Sequence, residues 1–350
     1  TPLPFDVDAE KAVLPLVIAG IGIIASVLGM FLVRTGDKAD MGKLLWTLRY
    51  GIFSAGALSL IGTAVYINSS DTLSFDLFWV VVTGIVVGQV IGTSTEWFTS
   101  YEGLKLGKFA FNPVKWIAQQ SETGHSSTII AGLSVGLYST VIPAIAIVVG
   151  IFFANDLAGL YGIGLAAVGM LSTLGITLAT DAYGPVADNA GGIAEQAHLD
   201  PEVRERTDAL DALGNTTAAT GKGFAIGSAV LTALALLVAY AFVTGITSLD
   251  LLNPKVLMGT IIGGLLPFLF SGLTMQAVGT AAGEMIEEVR RQFREIHGLR
   301  EGLPGVKPDA ARAVAISTQG ALKAMIVPGL IAIVAPIAIG ALMGAEALGG

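Results

Sequence analysis

The chain alternates between long apolar stretches and short polar connections. About 20 mostly apolar residues are needed to cross the ~30 Å hydrocarbon layer of a membrane. Eight stretches have this length, and they cover residues 13–34, 45–67, 76–97, 127–153, 157–182, 211–243, 255–282 and 313–344. A lipid-exposed strand would leave its backbone groups unpaired, so every one of these spans is predicted to be a helix.

Basic residues are divided unequally between the connections, and this predicts the orientation of the spans. The excess of Lys and Arg marks the cytoplasmic loops of membrane proteins. One set of alternate connections holds only Lys11 and Lys255. The opposite set is therefore predicted to be cytoplasmic, and it holds Arg34, Lys38, Lys43, Lys105, Lys108, Lys115, Arg204, Arg206, Arg290, Arg291, Arg294, Arg300, Lys307 and Arg312.

Composition supports an all-α, polytopic membrane helix bundle. Hydrophobic residues make up 53% of the chain and charged residues 13%, whereas soluble domains carry about 25% charged residues. The chain contains no cysteine, which excludes disulfides and thiol catalysis. Its three histidines are too scattered for a metal cluster. The net charge of −8 argues against a nucleic-acid partner.

The chain is interpreted as a single membrane domain, 1–350, with a charged cytoplasmic connection at 285–312. Glu287 and Arg291 in this connection have the i,i+4 spacing and order that stabilise an exposed helix. The connection is expected to anchor the spans and not to catalyse. The start at Thr1 without a basic segment, together with the end just after an apolar stretch, predicts an interior fragment of a longer protein.

Glycines at four-residue spacing mark close helix contacts. Gly84, Gly88 and Gly92 form a doubled GxxxG pattern, and Gly259 and Gly263 form another. Small residues at this spacing let helix backbones approach closely in membranes. Both patterns are therefore predicted to be packing faces.

Two glycine-rich polar strings, 180–192 and 214–223, adjoin or interrupt apolar stretches. They carry Asp188, Asn215 and Lys222 beside or within these stretches. An ionisable side chain at membrane depth costs about 2.5–3.5 kcal/mol on insertion scales, so it is normally retained for function. These three side chains are therefore favoured as functional.

Helical periodicity groups the polar residues of each string on one face. Residues seven apart drift by only about 20° on a helix. Asp181, Asp188 and Glu195 have this spacing, although Pro185 and the Gly191–Gly192 pair are expected to kink or end the helix before Glu195. A second stripe, within roughly 60°, holds Asp208, Asp211, Asn215 and Lys222. Asp208 and Asp211 lie near the membrane surface beside Arg204 and Arg206, which favours a structural role for them.

Two neighbouring helices could thus present carboxylates, an amide and an ammonium to one cytoplasm-facing cavity. Carboxylates suit Mg²⁺, which bridges to phosphate oxygens, and a lysine offers a point charge to a phosphoryl group. These are the ingredients of in-line phosphoryl hydrolysis. One alternative is a secondary transporter that binds an anionic solute at broken helices near Pro185. Another is a non-catalytic membrane assembly subunit.

Two strings carry a resemblance to a known family. Residues 180–195 and 204–228 resemble the eleventh and twelfth helices of the membrane-integral pyrophosphatases, which hydrolyse pyrophosphate to pump H⁺ or Na⁺. Weaker similarity extends over the whole chain, including 96–101 and 157–162. The resemblance implies that the eight spans are the seventh to fourteenth of a sixteen-helix homodimer. It also implies a bacterial or archaeal cell membrane, with the active site facing the cytoplasm.

The resemblance implies a role for individual residues. Asp188 would ligate Mg²⁺ on the substrate, with Asp181 in a supporting role lower on the same helix. Asn215 and Lys222 would contact the magnesium–pyrophosphate substrate. The aspartate-rich signatures of the family's fifth, sixth and last two helices are missing, so the chain alone is expected to be catalytically incomplete.

The resemblance also implies K⁺ dependence. Ala218 occupies the position that separates the two branches of the family, in which alanine accompanies K⁺ dependence and lysine accompanies independence. Gly221 agrees with the K⁺-dependent pattern, whereas the other branch tends to carry threonine there. The implied cofactors are therefore Mg²⁺ and K⁺.

Overall fold

The computed structural model describes residues 9–36, 41–101 and 112–350, and these residues form helices and no strands. The all-α prediction is confirmed for this part of the chain. The helices are α1 (Ala9–Met30), α2 (Met41–Asn68), α3 (Asp76–Thr99), α4 (Pro113–Ser121), α5 (His125–Ser139), α6 (Val141–Leu171), α7 (Leu174–Gln196), α8 (Pro201–Thr244), α9 (Pro254–Glu295), α10 (Ala310–Ala324), α11 (Ile326–Met343) and α12 (Ala345–Gly349).

Seven helical segments among the described residues are long and apolar enough to cross a membrane. One of them, His125–Leu171, has 47 residues, more than twice the length of a single crossing. Its backbone leaves the helical region at Ala158 and at Gly159, where φ is 59° and ψ is −151°. The break lies after the predicted span 127–153 and just inside the predicted span 157–182, and the exact bounds of both stay a prediction.

The polytopic membrane bundle is confirmed, but its orientation rests on the sequence. Lys38, Lys105 and Lys108, three of the basic residues on the predicted cytoplasmic side, lie outside the described residues. The other residues of that set occupy helix ends and connections. The cytoplasmic assignment of this side therefore stays a prediction.

The charged connection after the apolar part of α9 has a helical first half. Helix α9 continues to Glu295, and turns lead from there to α10. The predicted Glu287–Arg291 pair does not form. Arg291 instead donates two hydrogen bonds, of 2.9 and 2.7 Å, to the buried carboxylate of Glu288. Glu287 pairs with Arg290 at 2.7 Å.

The described residues up to Val238 form one compact unit, and Ala239–Gly350 form a second. The core of the first unit lies between α3 and α6, where Val80, Val81 and Met170 are fully buried. A Cβ added at Gly84 would overlap the carbonyl oxygen of Ala166, so these two helices touch through their backbones. The second unit consists of α9 to α12 and the end of α8.

Helix α8 also packs against the glycine pattern of α3. A Cβ added at Gly88 would lie 2.9 Å from the Phe224 ring, and one at Gly92 would lie 3.4 Å from Thr220. The predicted packing role of this GxxxG face is confirmed. In the other pattern, Gly259 packs against Ala347, whereas an added Cβ at Gly263 would have no neighbour within 4 Å.

Candidate functional site

The two polar strings lie on an antiparallel helix pair. Helix α7 continues through Pro185 and Gly191 to Gln196, so the expected helix end before Glu195 is wrong. The chain reverses over residues 197–200, where His198 has a φ of 52°. Backbone hydrogen bonds from His198 to Glu195 (3.0 Å) and from Leu199 to Ala194 (3.1 Å) close the end of α7 in the manner of a left-handed C-cap.

The pair is closest at two glycines. A Cβ added at Gly214 would lie 2.5 Å from the Cα of Gly184. On either side of this contact, the Thr217 hydroxyl donates to the Thr180 carbonyl at 3.0 Å and the Tyr183 hydroxyl donates to the Leu210 carbonyl at 3.1 Å. Small residues permit this backbone approach, and the contact sets the register between the helices.

This register brings the two polar stripes to the same edge of the pair. At one end, a Cβ added at Gly221 would lie 3.6 Å from the Asp181 carboxylate. At the other end, the Arg204 guanidinium of α8 binds the Glu195 carboxylate of α7 at 2.8 Å. Asp188 lies between Asp181 and Glu195 on their stripe of α7. The helical count therefore sets it on this edge, facing the polar stripe of α8.

The side chains on this edge differ in whether they have partners. Asp188 and Lys222 are exposed and form no hydrogen bond or ion pair with any residue that the structure describes. Asn215 is exposed, and its amide donates to the half-buried Asp211 carboxylate at 3.2 and 3.3 Å. The edge therefore offers an unpaired carboxylate from α7 and an unpaired ammonium from α8 to a ligand.

The carboxylates fit a substrate-borne Mg²⁺ and do not fit a closed metal centre. No group of three or more His, Cys, Asp or Glu residues is arranged to hold a metal in the described part of the chain. Mg²⁺ keeps several waters and is commonly bound by one or two carboxylates plus substrate phosphates. Asp188 matches that requirement because no cation among the residues that the structure describes is paired with its oxygens. Asp181 is half-buried, lower on the same stripe.

Neither Ala218 nor Gly221 carries a long side chain on the edge near Asp181. Both residues are half-buried, and they lie three residues apart on α8. The carboxylate of Asp181 is the nearest group to the missing side chain of Gly221. A small cation next to these residues would thus have a carboxylate beside it.

A buried ion pair next to this site was not anticipated. The Arg49 guanidinium of α2 donates to the Glu96 carboxylate of α3 at 3.3 Å through Nε and also bonds it through Nη2. The two side chains are only 15% and 10% exposed. Thr95, the residue before Glu96, packs against Gly223, the residue after Lys222. The sequence signal was present, because Arg49 lies inside the apolar stretch 45–67.

Comparisons with known proteins agree with the resemblance. A family model described as inorganic H⁺ pyrophosphatase matches residues 6–350. A relative from Clostridium tetani, provisionally named a K(+)-stimulated pyrophosphate-energized sodium pump, is 51% identical over 98% of this chain and 50% of its own length. One from Bacteroides thetaiotaomicron with the same name is 48% identical over 95% of the chain and 50% of its own length.

A third relative is named for a different ion and for insensitivity to K⁺. It is a K(+)-insensitive pyrophosphate-energized proton pump from Methanosarcina mazei, 43% identical over 97% of this chain and 50% of its own length. The chain therefore spans about half the length of the curated relatives that it matches.

Proposed function

Because the chain belongs to the inorganic H⁺ pyrophosphatase family, we propose that its protein is a primary ion pump energised by pyrophosphate. The observation that carries the proposal is the polar edge of the α7–α8 pair. There an unpaired carboxylate, Asp188, and an unpaired ammonium, Lys222, lie on neighbouring helices with no partner among the described residues. Opposite charges left free on one edge suit a ligand that has both a metal ion and phosphate oxygens.

Each side chain has a distinct task in this proposal. Asp188 holds Mg²⁺ on the substrate, with Asp181 in support, and Lys222 attracts a phosphate group as a point charge. Asn215 donates its amide to a phosphate oxygen, and Asp211 orients that amide. When bound there, Mg²⁺ would offset the negative charge of the phosphate oxygens. The carboxylates that activate water belong, by the resemblance, to helices outside this chain.

We propose K⁺ as a second cofactor. Gly221 lies beside the Asp181 carboxylate, neither it nor Ala218 carries a long side chain, and a monovalent cation bound near them would add positive charge near an anionic substrate. Two of the relatives are named K⁺-stimulated, and the third is named K⁺-insensitive. Alanine at position 218 supports the K⁺-dependent branch for this chain.

The proposed pump also has a transported ion, an oligomeric state and a membrane location. The transported ion is H⁺ or Na⁺, since relatives of both names match the chain. We propose a homodimer in a bacterial or archaeal cell membrane, surrounded by lipid, with pyrophosphate bound on the cytoplasmic side. The basic residues Arg204 and Arg206 at the start of α8 support that orientation.

The decisive experiment is hydrolysis by the full-length protein in lipid vesicles. Asp188→Asn is expected to abolish Mg²⁺-dependent release of phosphate, because it removes a metal ligand with almost no change in volume. Lys222→Ala is expected to impair hydrolysis at limiting pyrophosphate. The control is Glu202→Gln, since the partner of Glu202 is Arg206 on its own helix. Wild-type turnover by Asp188→Asn would refute the site.

Vesicle measurements also separate the proposal from its alternative. A pyrophosphate-energised pump builds an ion gradient when pyrophosphate is added outside vesicles whose cytoplasmic face points outward. A secondary transporter would instead accumulate an anionic solute without releasing phosphate. Solute uptake without hydrolysis by the unmodified protein would overturn the proposed function.

A further inference from the structure

The α7–α8 pair has one pivot and one side-chain link at its turn. The pivot is the contact between Gly184 and Gly214, where two backbones touch with no side chain between them. Such a contact sets a distance, and the two hydrogen bonds that flank it lie within about one turn of it. Asp188 lies one turn beyond this pivot, toward the end of α7. Its position relative to α8 therefore also depends on what holds that end.

Arg204 links the two helices at that end. Its Nη1 donates to the Gly191 carbonyl at 2.8 Å and to the Glu195 carboxylate at 2.8 Å, both on α7. Its Nε lies 2.8 Å from the Asp208 carboxylate on its own helix. A guanidinium binds several acceptors in a fixed planar geometry. One side chain thus ties the end of α7 to the start of α8.

We propose that Arg204 is a positioning residue that sets the distance between Asp188 and the polar stripe of α8. This inference rests on the proposed function for its catalytic meaning. Asp188 lies between the Gly184 pivot and the Arg204 link, so a movement at the link is transmitted to its carboxylate. Arg204 itself does not touch the substrate in this proposal, and its Nη1 and Nε are engaged by Gly191, Glu195 and Asp208.

The positive charge of Arg204 has a second effect on the helix pair. Glu195 and Asp208 bring two carboxylates to the junction of the helices, and Arg204 offsets them. Without the guanidinium, two like charges on opposite helices would face each other and repel. The end of α7 would then move away from α8 and take Asp188 with it.

Magnesium dependence of the full-length protein tests the proposal. Arg204→Gln is expected to raise the Mg²⁺ concentration for half-maximal hydrolysis roughly tenfold, as loss of a group that orients a metal ligand commonly does. The maximal rate should change much less. Arg204→Lys should give an intermediate value, since it keeps the charge but loses the planar geometry.

Arg206→Gln is the matched control. Arg206 pairs with Glu202 four residues earlier on the same helix, so its ion pair spans no helix interface. It is expected to leave the Mg²⁺ dependence unchanged. Equal Mg²⁺ dependence of the Arg204→Gln and Arg206→Gln proteins would overturn the inference. So would a loss of protein or maximal rate in Arg204→Gln with an unchanged Mg²⁺ midpoint.

A distance measurement tests the link without any hydrolysis. Spin labels would replace Ile193 on α7 and Glu205 on α8, two exposed residues near the turn. We expect a narrow distance distribution in the otherwise unmodified protein and a broader or longer one in Arg204→Gln. Identical distributions would refute the link even if the protein hydrolyses pyrophosphate. Absence of hydrolysis with altered distances would refute only the proposed function.

Discussion

Gly184 and Gly214 meet so closely that neither can carry a side chain without moving a helix. A Cβ at Gly214 would lie 2.5 Å from the Cα of Gly184, and a Cβ at Gly184 would lie 3.1 Å from the Gly214 carbonyl oxygen. This contact sets the register of α7 against α8. The register in turn brings the stripe with Asp188 to the same edge as the stripe with Lys222.

Gly214→Ala is expected to destabilise the protein by about 1–3 kcal/mol, because a methyl group has no space at a tightly packed backbone contact. It should also lower hydrolysis by displacing the two polar stripes. Thermal unfolding of the purified full-length protein in detergent measures the first effect.

Gly192→Ala is the control for this prediction, since an added Cβ there would meet nothing within 4 Å. In a helix interior it should stabilise by up to about 1 kcal/mol. Equal melting temperatures for the two alanine variants would contradict the role of the close contact.

Ala218→Lys is expected to reduce the requirement for K⁺. The ammonium of an introduced lysine would add a fixed positive charge on the face of α8 near Asp181 and replace a bound cation. The measurement is the initial hydrolysis rate against K⁺ concentration, with Na⁺ held constant. Ala212→Lys, at an exposed residue of the same helix, controls for the added charge. An unmodified protein that hydrolyses equally fast without K⁺ would show that the assigned branch is wrong.

Glu96→Gln is expected to cost about 3–5 kcal/mol of stability, because it leaves the buried Arg49 guanidinium without a counter-charge. Glu202→Gln breaks the exposed Arg206 pair instead, and it should cost about 1 kcal/mol or less. Thermal unfolding of both variants gives the comparison. A loss of stability that is small and similar in the two variants would contradict the prediction. It would mean that water solvates Arg49 in the folded protein.

Low pH is expected to destabilise the folded connection after α9, because it protonates the Glu288 carboxylate. Glu288 lies beyond the apolar span 255–282. Hydrogen bonds from Arg291 and then Gln292 lower the pKa of Glu288 from 4.5 to about 2. Because the folded pKa is the lower one, the stabilisation is complete above about pH 4.5. It is lost as the pH falls toward 2.

The acid prediction is tested by unfolding the full-length protein between pH 6 and pH 2 at roughly one-unit steps. Glu288→Gln should be less stable than the unmodified protein at pH 6, and the difference should shrink toward the acid end. Glu287→Gln, at the exposed pair with Arg290, should show little of this pH dependence. A constant difference between Glu288→Gln and the unmodified protein would contradict the prediction.

The sequence by itself determined the membrane bundle, because hydropathy and helical periodicity are local properties. Apolar length alone identifies stretches such as 76–97 and 255–282. The cost of charge at membrane depth singled out Asp188 and Lys222, and the spacing of seven grouped Asp181, Asp188 and Glu195. The break expected near Pro185 did not occur, since the helix continues to Gln196.

Only the tertiary structure decided which polar groups have partners. Arg49 and Glu96 are 47 residues apart in the chain, and nothing local indicates that they meet. Arg291 has several glutamates within one helical turn. It binds Glu288 because Gln292 and Arg312 hold that carboxylate in place. Ion pairing depends on distances between helices, and those distances follow from contacts such as Gly184 with Gly214, which a local pattern does not contain.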